Sequence, residues 1–327
     1  VNLLTIGASN VSAFAGLNAG KTDAMGLQLT GVEFGLAMMS QKMATGSTTP
    51  ARTWTSLQAA ASSVTVVGLG ELELTADTLT VSVNQASTLN DAVVDYSAGK
   101  TNLVVTTGTA DTLAMTLDGA KGEMIQAAGH LTMDVYGFFQ VDGNFAIEKS
   151  SSAVTLADKT VVDVNMLTIG ANDVSAFARL NGGTAGAIGL QLTDVDFGLA
   201  LMTQKSATAT PTGRSWTTLQ ATAGDVRFVG LGSDLTVSAD TLSVVVNQAG
   251  KVGDAVVDYS AGATSLNVVT GPTSEIALAA NGAKGELIQA TGNLDLDVYG
   301  FFQVAGEFAI ESSTKTVTLS DKSTVNV

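Results

Sequence analysis

Residues 131–147 read L-T-M-D-V-Y-G-F-F-Q-V-D-G-N-F-A-I, and the alternation runs through them without a slip. Leu131, Met133, Val135, Phe139, Val141, Phe145 and Ile147 share one parity, with Gly137 and Gly143 filling the gaps. Thr132, Asp134, Tyr136, Phe138, Gln140, Asp142 and Asn144 take the other. Period two over this length predicts one extended strand with its odd face buried. Residues 294–310, L-D-L-D-V-Y-G-F-F-Q-V-A-G-E-F-A-I, repeat the pattern in the same parity.

Working outward, the echo covers the whole chain. L-T-I-G-A at 4–8 returns at 167–171, an offset of 163, and G-L-Q-L-T at 26–30 returns at 189–193. Asp77, Asn84, Asp91 and Tyr96 match Asp240, Asn247, Asp254 and Tyr259. Length changes near Pro50 and Trp54 cancel before Asp77, as in a surface loop. Asp158-Lys159 matches Asp321-Lys322, so Val327 stands where Val164 and Val1 stand. The expected domains are therefore 1–163 and 164–327, a window on a longer array or the subunit of a head-to-tail filament.

Within each copy, short alternating runs meet at polar corners where the parity flips. Leu72, Leu74 and Ala76 lead to Asp77-Thr78, after which Leu79, Val81 and Val83 carry the other parity. Thr30-Gly31, Ser9-Asn10 and Asp240-Thr241 are further corners of this kind. Turn-forming residues at a flip suit a bent strand or a β-arc. Residues 34–44 and 54–61 also fit helical spacing, but both abut strong β patterns. The fold class expected is all-β, in tandem repeats of about 163 residues, as an elongated β-solenoid or stacked β-arc array. A string of β-sandwich domains is the alternative. One motif cannot offset the entropy of ordering itself, so neighbours must cover it.

Bulk composition narrows the function. Asp plus Glu is 30 against 15 Lys plus Arg, a net charge of −15, which disfavours nucleic acid and anionic membranes as partners. Charged residues are only 14%, well under the usual quarter or so, and this suits a β fold with many chain-to-chain contacts. There is no cysteine, hence no disulfide or thiolate metal site. No apolar run has the ~18 residues of a membrane helix.

The segments at 234–249 (D-L-T-V-S-A-D-T-L-S-V-V-V-N-Q-A), 285–311 and 189–202 (G-L-Q-L-T-D-V-D-F-G-L-A-L-M) resemble the repeats of giant repetitive bacterial surface proteins. These are adhesin-like chains, some carrying an LEPR-XLL motif outside the repeats. The resemblance implies an extracellular, adhesive or fibre-forming role at the cell surface and brings no catalytic residue with it. The Gly-Gly-x-Gly-x-Asp nonapeptide of calcium-binding toxin-like repeats is absent.

The chemistry-bearing residues are few. The lone His130 has Asn293 as its counterpart, so neither a catalytic nor a zinc role is shared by the two copies. Asp91 and Asp95, repeated as Asp254 and Asp258, are the calcium candidates. On an extended strand they stand ~13 Å apart, and only a compact turn would let them share an ion; solvated acids beside a short buried strand are the plainer alternative. Gly68-Leu69-Gly70 and Gly230-Leu231-Gly232 read as turns. Tyr136 and Phe138, with Tyr299 and Phe301, fall on the outer parity and form the candidate interaction surface, suited to lateral packing or to stacking on sugars. A bulge at Gly137 would instead turn one aromatic inward. The expected function is a structural repeat, not an enzyme, whose partner is itself. An adhesion module for a glycan or protein receptor is second, and a polysaccharide-acting β-solenoid enzyme third.

Overall fold

The computed structural model describes residues 1–326 except 46–49, 71, 89–90, 181–187, 206–212, 232–234 and 252. The loop expected near Pro50 falls partly outside the described residues, as do Gly232 and Val327. The described chain is all-β. Its strands are β1 (Asn2–Leu17), β2 (Met25–Ser40), β3 (Thr53–Val67), β4 (Leu72–Ala86), β5 (Val104–Thr106), β6 (Thr112–Ala114), β7 (Met124–Val135), β8 (Phe139–Thr155) and β9 (Val161–Leu180). They continue as β10 (Ile188–Gln204), β11 (Ser215–Val229), β12 (Leu235–Ala249), β13 (Asn267–Val269), β14 (Glu275–Ala277), β15 (Leu287–Val298), β16 (Phe302–Ser313), β17 (Thr316–Thr318) and β18 (Thr324–Asn326).

Twelve strands form one antiparallel sheet in the order β1-β2-β3-β4-β7-β8-β9-β10-β11-β12-β15-β16. The end strands β1 and β16 do not pair with each other, so the sheet is open. Residues 34–44 and 54–61 lie in β2 and β3 and their margins and have no helical turn. Pairing runs without a gap across residues 163 and 164, because β8 and β9 match from Phe139↔Ala178 to Thr155↔Val161.

Residues 131–147 are not one strand but a hairpin, β7 turning into β8. Val135 pairs with Phe139, and Phe138 N–H donates to Val135 O at 2.9 Å. Tyr136 and Gly137 take positive φ, 54° and 62°, as a tight hairpin turn requires. The connection between paired residues is three long, an odd number, so the same parity resumes after it. That is why the turn leaves no mark on the alternation.

The parity flips are bulges inside long strands. Asn10, Thr78, Asp173, Asp194 and Thr241 sit there at φ of 50–53°, with Gly31 at 59°. The registers line these corners up in a polar row across the sheet, running through Ser63, Asp77, His130 and Asn144, and again through Asp225, Asp240, Asn293 and Glu307. His130 stands between Asp77 and Asp142, at 3.6 and 3.5 Å. Its counterpart Asn293 donates to Asp240 at 2.7 Å. Both residues place a side-chain nitrogen beside the opposing aspartate, so the exchange keeps a polar contact there.

Above this row the sheet carries a thin second layer, the hairpins β5–β6 and β13–β14, which touch β1–β2 and β8–β10 respectively. Glycines make the approach possible. A Cβ at Gly170 would stand 2.2 Å from Val269 O, and one at Gly7 would stand 2.4 Å from Thr106 O. Both cores lie under these layers. One joins Ala37, Met39, Tyr96, Val105, Met115, Leu117 and Met124. The other is larger and includes Val154, Leu156, Val162, Val164 and Met166 from the β8–β9 crossover, packed with Met202, Trp216, Val257, Tyr259 and Val268. Below the row, Leu131, Met133, Val135, Phe139 and Val141 are only half-buried, and Ile147, above it, is exposed. The odd face of 131–147 is therefore not the core. Past the flip the other parity turns inward, and Ala146 and Glu148 are the buried residues.

Candidate functional site

Tyr136 and Phe138 are 64% and 54% exposed, Tyr299 and Phe301 73% and 96%. They occupy the tips of the β7–β8 and β15–β16 turns and not the face of a strand. Asp134 holds the first tip by accepting from Gly137 N–H at 2.7 Å, and Asp297 does the same for Gly300 at 2.8 Å. The Asp134 carboxyl is kept below its ordinary range by the Gln140 amide and the Gly137 N–H. Arg179 of β9 adds a bond from Nε to Gly137 O at 3.0 Å.

The four candidate calcium aspartates are engaged elsewhere. Asp91 takes the Arg52 guanidinium in a fork, which lowers its carboxyl. Asp95 accepts from Ser97 Oγ at 2.6 Å, Ser97 N at 3.0 Å and Gly119 N at 3.2 Å, and these bonds hold it low as well. Asp254 faces Arg214 at 3.8 Å. Asp258 is buried, not solvated, and accepts from Ser260, Gly282 and, at 2.8 Å, the Lys159 ammonium. Burial alone would raise the Asp258 carboxyl. The lysine and the serine bonds outweigh it and hold the group far below the usual range. Among the described residues no three acidic, histidine or cysteine side chains converge on one point. These aspartates act as anchors of the 91–101 and 254–264 loops.

The same loops are pinned from the other side by buried polar chains. Tyr259 OH donates to Thr218 Oγ1 (2.9 Å), Thr218 to Asn247 Oδ1 (3.1 Å), and Asn247 Nδ2 to Val257 O (2.8 Å). Tyr96, Ser56, Asn84 and Val94 O repeat the chain at 2.9, 3.0 and 2.7 Å. Trp54 and Trp216 bond Ala92 O and Ala255 O, both at 2.9 Å. Every member is satisfied, which low-dielectric surroundings demand. Burial pushes the Tyr259 hydroxyl well up, so it remains a donor at any ordinary pH.

Two sites were not singled out from the sequence. One is the pair of free sheet edges, rows of main-chain N–H and C=O with no described partner on β1 and β16. β1 carries no charged residue over its sixteen positions. The other is the crossover 153–166, a hairpin closed by Leu156 N–H to Thr160 O at 2.8 Å with Lys159 at φ 69°. Its sequence signal was present in Ala157-Asp158-Lys159 between two alternating runs. Comparison of the chain with protein-family models, with curated proteins and with solved structures returned no match.

Proposed function

We propose that this chain is a structural segment of an extracellular bacterial surface protein. Units of about 163 residues, 1–163 and 164–327, would follow one another to build a fibre, stalk or surface layer. The observation that carries this reading is the junction at β8 and β9. It joins the two halves by main-chain pairing from Phe139↔Ala178 to Thr155↔Val161, with one register shift between Asp142 and Asn144, and completes a core with the crossover hairpin. A boundary built as fully as the interior is what an extendable array needs. The low charge and the resemblance to giant surface-protein repeats support the same reading. Elongation here comes from strands added side by side, in place of the stacked solenoid coils expected from alternation alone.

Twelve sheet strands over two copies make six per unit. At a strand spacing of about 4.8 Å each unit adds about 29 Å along the sheet. Negative-stain images of a polypeptide carrying four units should show particles growing by about that amount per unit. A long dimension that does not increase with unit number would overturn the proposal.

Adhesion is the second reading, favoured by the exposed aromatics at the two turn tips. Such rings stack on sugar faces or fill receptor pockets. Replacing Tyr136, Phe138, Tyr299 and Phe301 together by Ala should then abolish glycan or cell binding while the particles keep their form. Unchanged binding would remove the reading.

A further inference from the structure

The bulges keep one side of the sheet apolar from end to end. An extra residue at Asp173 reverses the parity of β9 while β8 runs on past Gly143, so the side that is apolar above the bulge stays apolar below it. Directly paired residues share a side. Above the bulges Ile147, Ile169, Leu199, Leu219, Val246 and Ile288 form one unbroken row across six strands. Below them Met133, Val141, Ala176, Leu192, Val226 and Ala239 form another on the same side. The first half repeats the upper row as Ile6, Leu36, Leu57, Val83 and Ile125. On the sheet strands between β1 and β16, every paired position on this side from the upper row to the turn tips carries Ala, Val, Ile, Leu, Met, Phe or Gly. Asp134, Asp142, Arg227 and Asp295 stand on the opposite side.

Among the described residues no strand or hairpin packs on this apolar side. The hairpins β5–β6 and β13–β14 lie over Gly7 and Gly170, on the other. Ile125, Ile147 and Ile288 are 42%, 47% and 46% exposed, and all three lie on inner strands with a paired neighbour on each side. Six strands about 50 Å long give each unit a face of about 29 by 50 Å, or about 1,400 Å², where a stable interface takes about 800 Å² from each partner. A patch of a few hundred Å² is the usual limit on a monomer.

We propose that a second copy of this chain covers this face, apolar side to apolar side, as a two-sheet sandwich. The sheets stand about 10 Å apart with their strands within about 30° of alignment. The contact is isologous, so the same surface serves both copies and closes as a pair. A second copy fits because the face offers no charge by which another partner would be selected, and its rows recur unit by unit in both copies. It also fits in relief. Phe145, Ala171, Phe197, Ala221, Val244 and Ala290 alternate large with small across the strands, and a copy displaced by one strand sets large against small. The acidic residues that stand on the opposite side then point away from each other. The end strands take no part, so the pairing holds for two units or for many and does not depend on the array reading.

Sedimentation equilibrium of this chain tests the pairing separately from growth with unit number. The expected species is a dimer. Ile147→Lys with Ile288→Lys should weaken dimerisation by about a hundredfold or more, because each lysine would be buried without a partner. Ser175→Lys with Thr236→Lys, on the opposite side, should leave it within about twofold. Should circular dichroism show the first pair unfolded, Ile147→Cys takes its place, since the chain has no cysteine of its own. Its reaction with a maleimide should slow about tenfold from dilute to concentrated protein, while Ser175→Cys reacts at one rate. A monomer at every concentration, dimers that survive both pairs of lysines, or an Ile147→Cys thiol reacting at one rate throughout would each overturn the proposal. Flotation of the monomer with phosphatidylcholine vesicles would overturn it too, by making a lipid surface the occupant.

Discussion

Asn247 shows how much of this fold hangs on single buried polar groups. Its amide joins the Thr218–Tyr259 hydroxyl pair on the sheet to the main chain of the 254–264 loop. Asn247→Ala should cost about 3 kcal/mol, because Val257 O and a hydroxyl are left buried without partners; denaturant titration measures it. Asp258 is the charged counterpart. Its folded-state pKa lies below the unfolded value of about 3.9, so its contribution is complete above pH ~4 and is lost as pH falls through the folded value. Asp258→Asn should therefore cost about 2 kcal/mol near neutrality, and the gap from wild type should hold down to pH ~4 and narrow below it. A gap that widens in acid would contradict the assignment. Neither role could be read from the sequence, where Asn84/Asn247 and the aspartates were visible only as matching positions. The partners of Asn247 lie 10 and 29 residues away, and Lys159, 99 residues from Asp258, comes on a hairpin from another part of the chain.

Among the elements, the hairpins β5–β6 and β13–β14 lie on the sheet only because glycines beneath them have no side chain. Gly170→Ala would drive a methyl to 2.2 Å from Val269 O and force the layer off. The expected cost is about 2–3 kcal/mol by thermal or denaturant unfolding, with the sheet itself retained. The alternation that identified strands was sound, and the corners at Asp77, Asp240 and Thr30-Gly31 are real parity flips. What periodicity could not report was the turn at Tyr136-Gly137, since a three-residue connection preserves parity. It also could not report that the flips are bulges in continuous strands, because bulge and arc share the same turn-forming residues. The aromatics are exposed at turn tips and not on the outer face of a strand.

For the molecule as a whole, the same residue type in the same motif has two environments. Leu156 is fully buried in the larger core, while Leu319, its counterpart, is 44% exposed. Leu156→Ala should cost about 3–4 kcal/mol, while Leu319→Ala in dilute solution should cost under about 0.5 kcal/mol. Denaturant unfolding of both variants measures the difference. Equal costs would mean that the crossover hairpin adds nothing to the core.

By itself the sequence determined that the chain is all-β, that its parts recur at 163 residues, and where its strands bend, because side-chain alternation and turn chemistry are local. The tertiary structure decided the rest: that neighbouring strands pair as one open antiparallel sheet, that the motif at 131–147 is a hairpin, and that Asp258 is buried under Lys159. Pairing partners, layer coverage and free edges are relations between distant residues, and two identical local patterns acquire different energies according to what is packed on them.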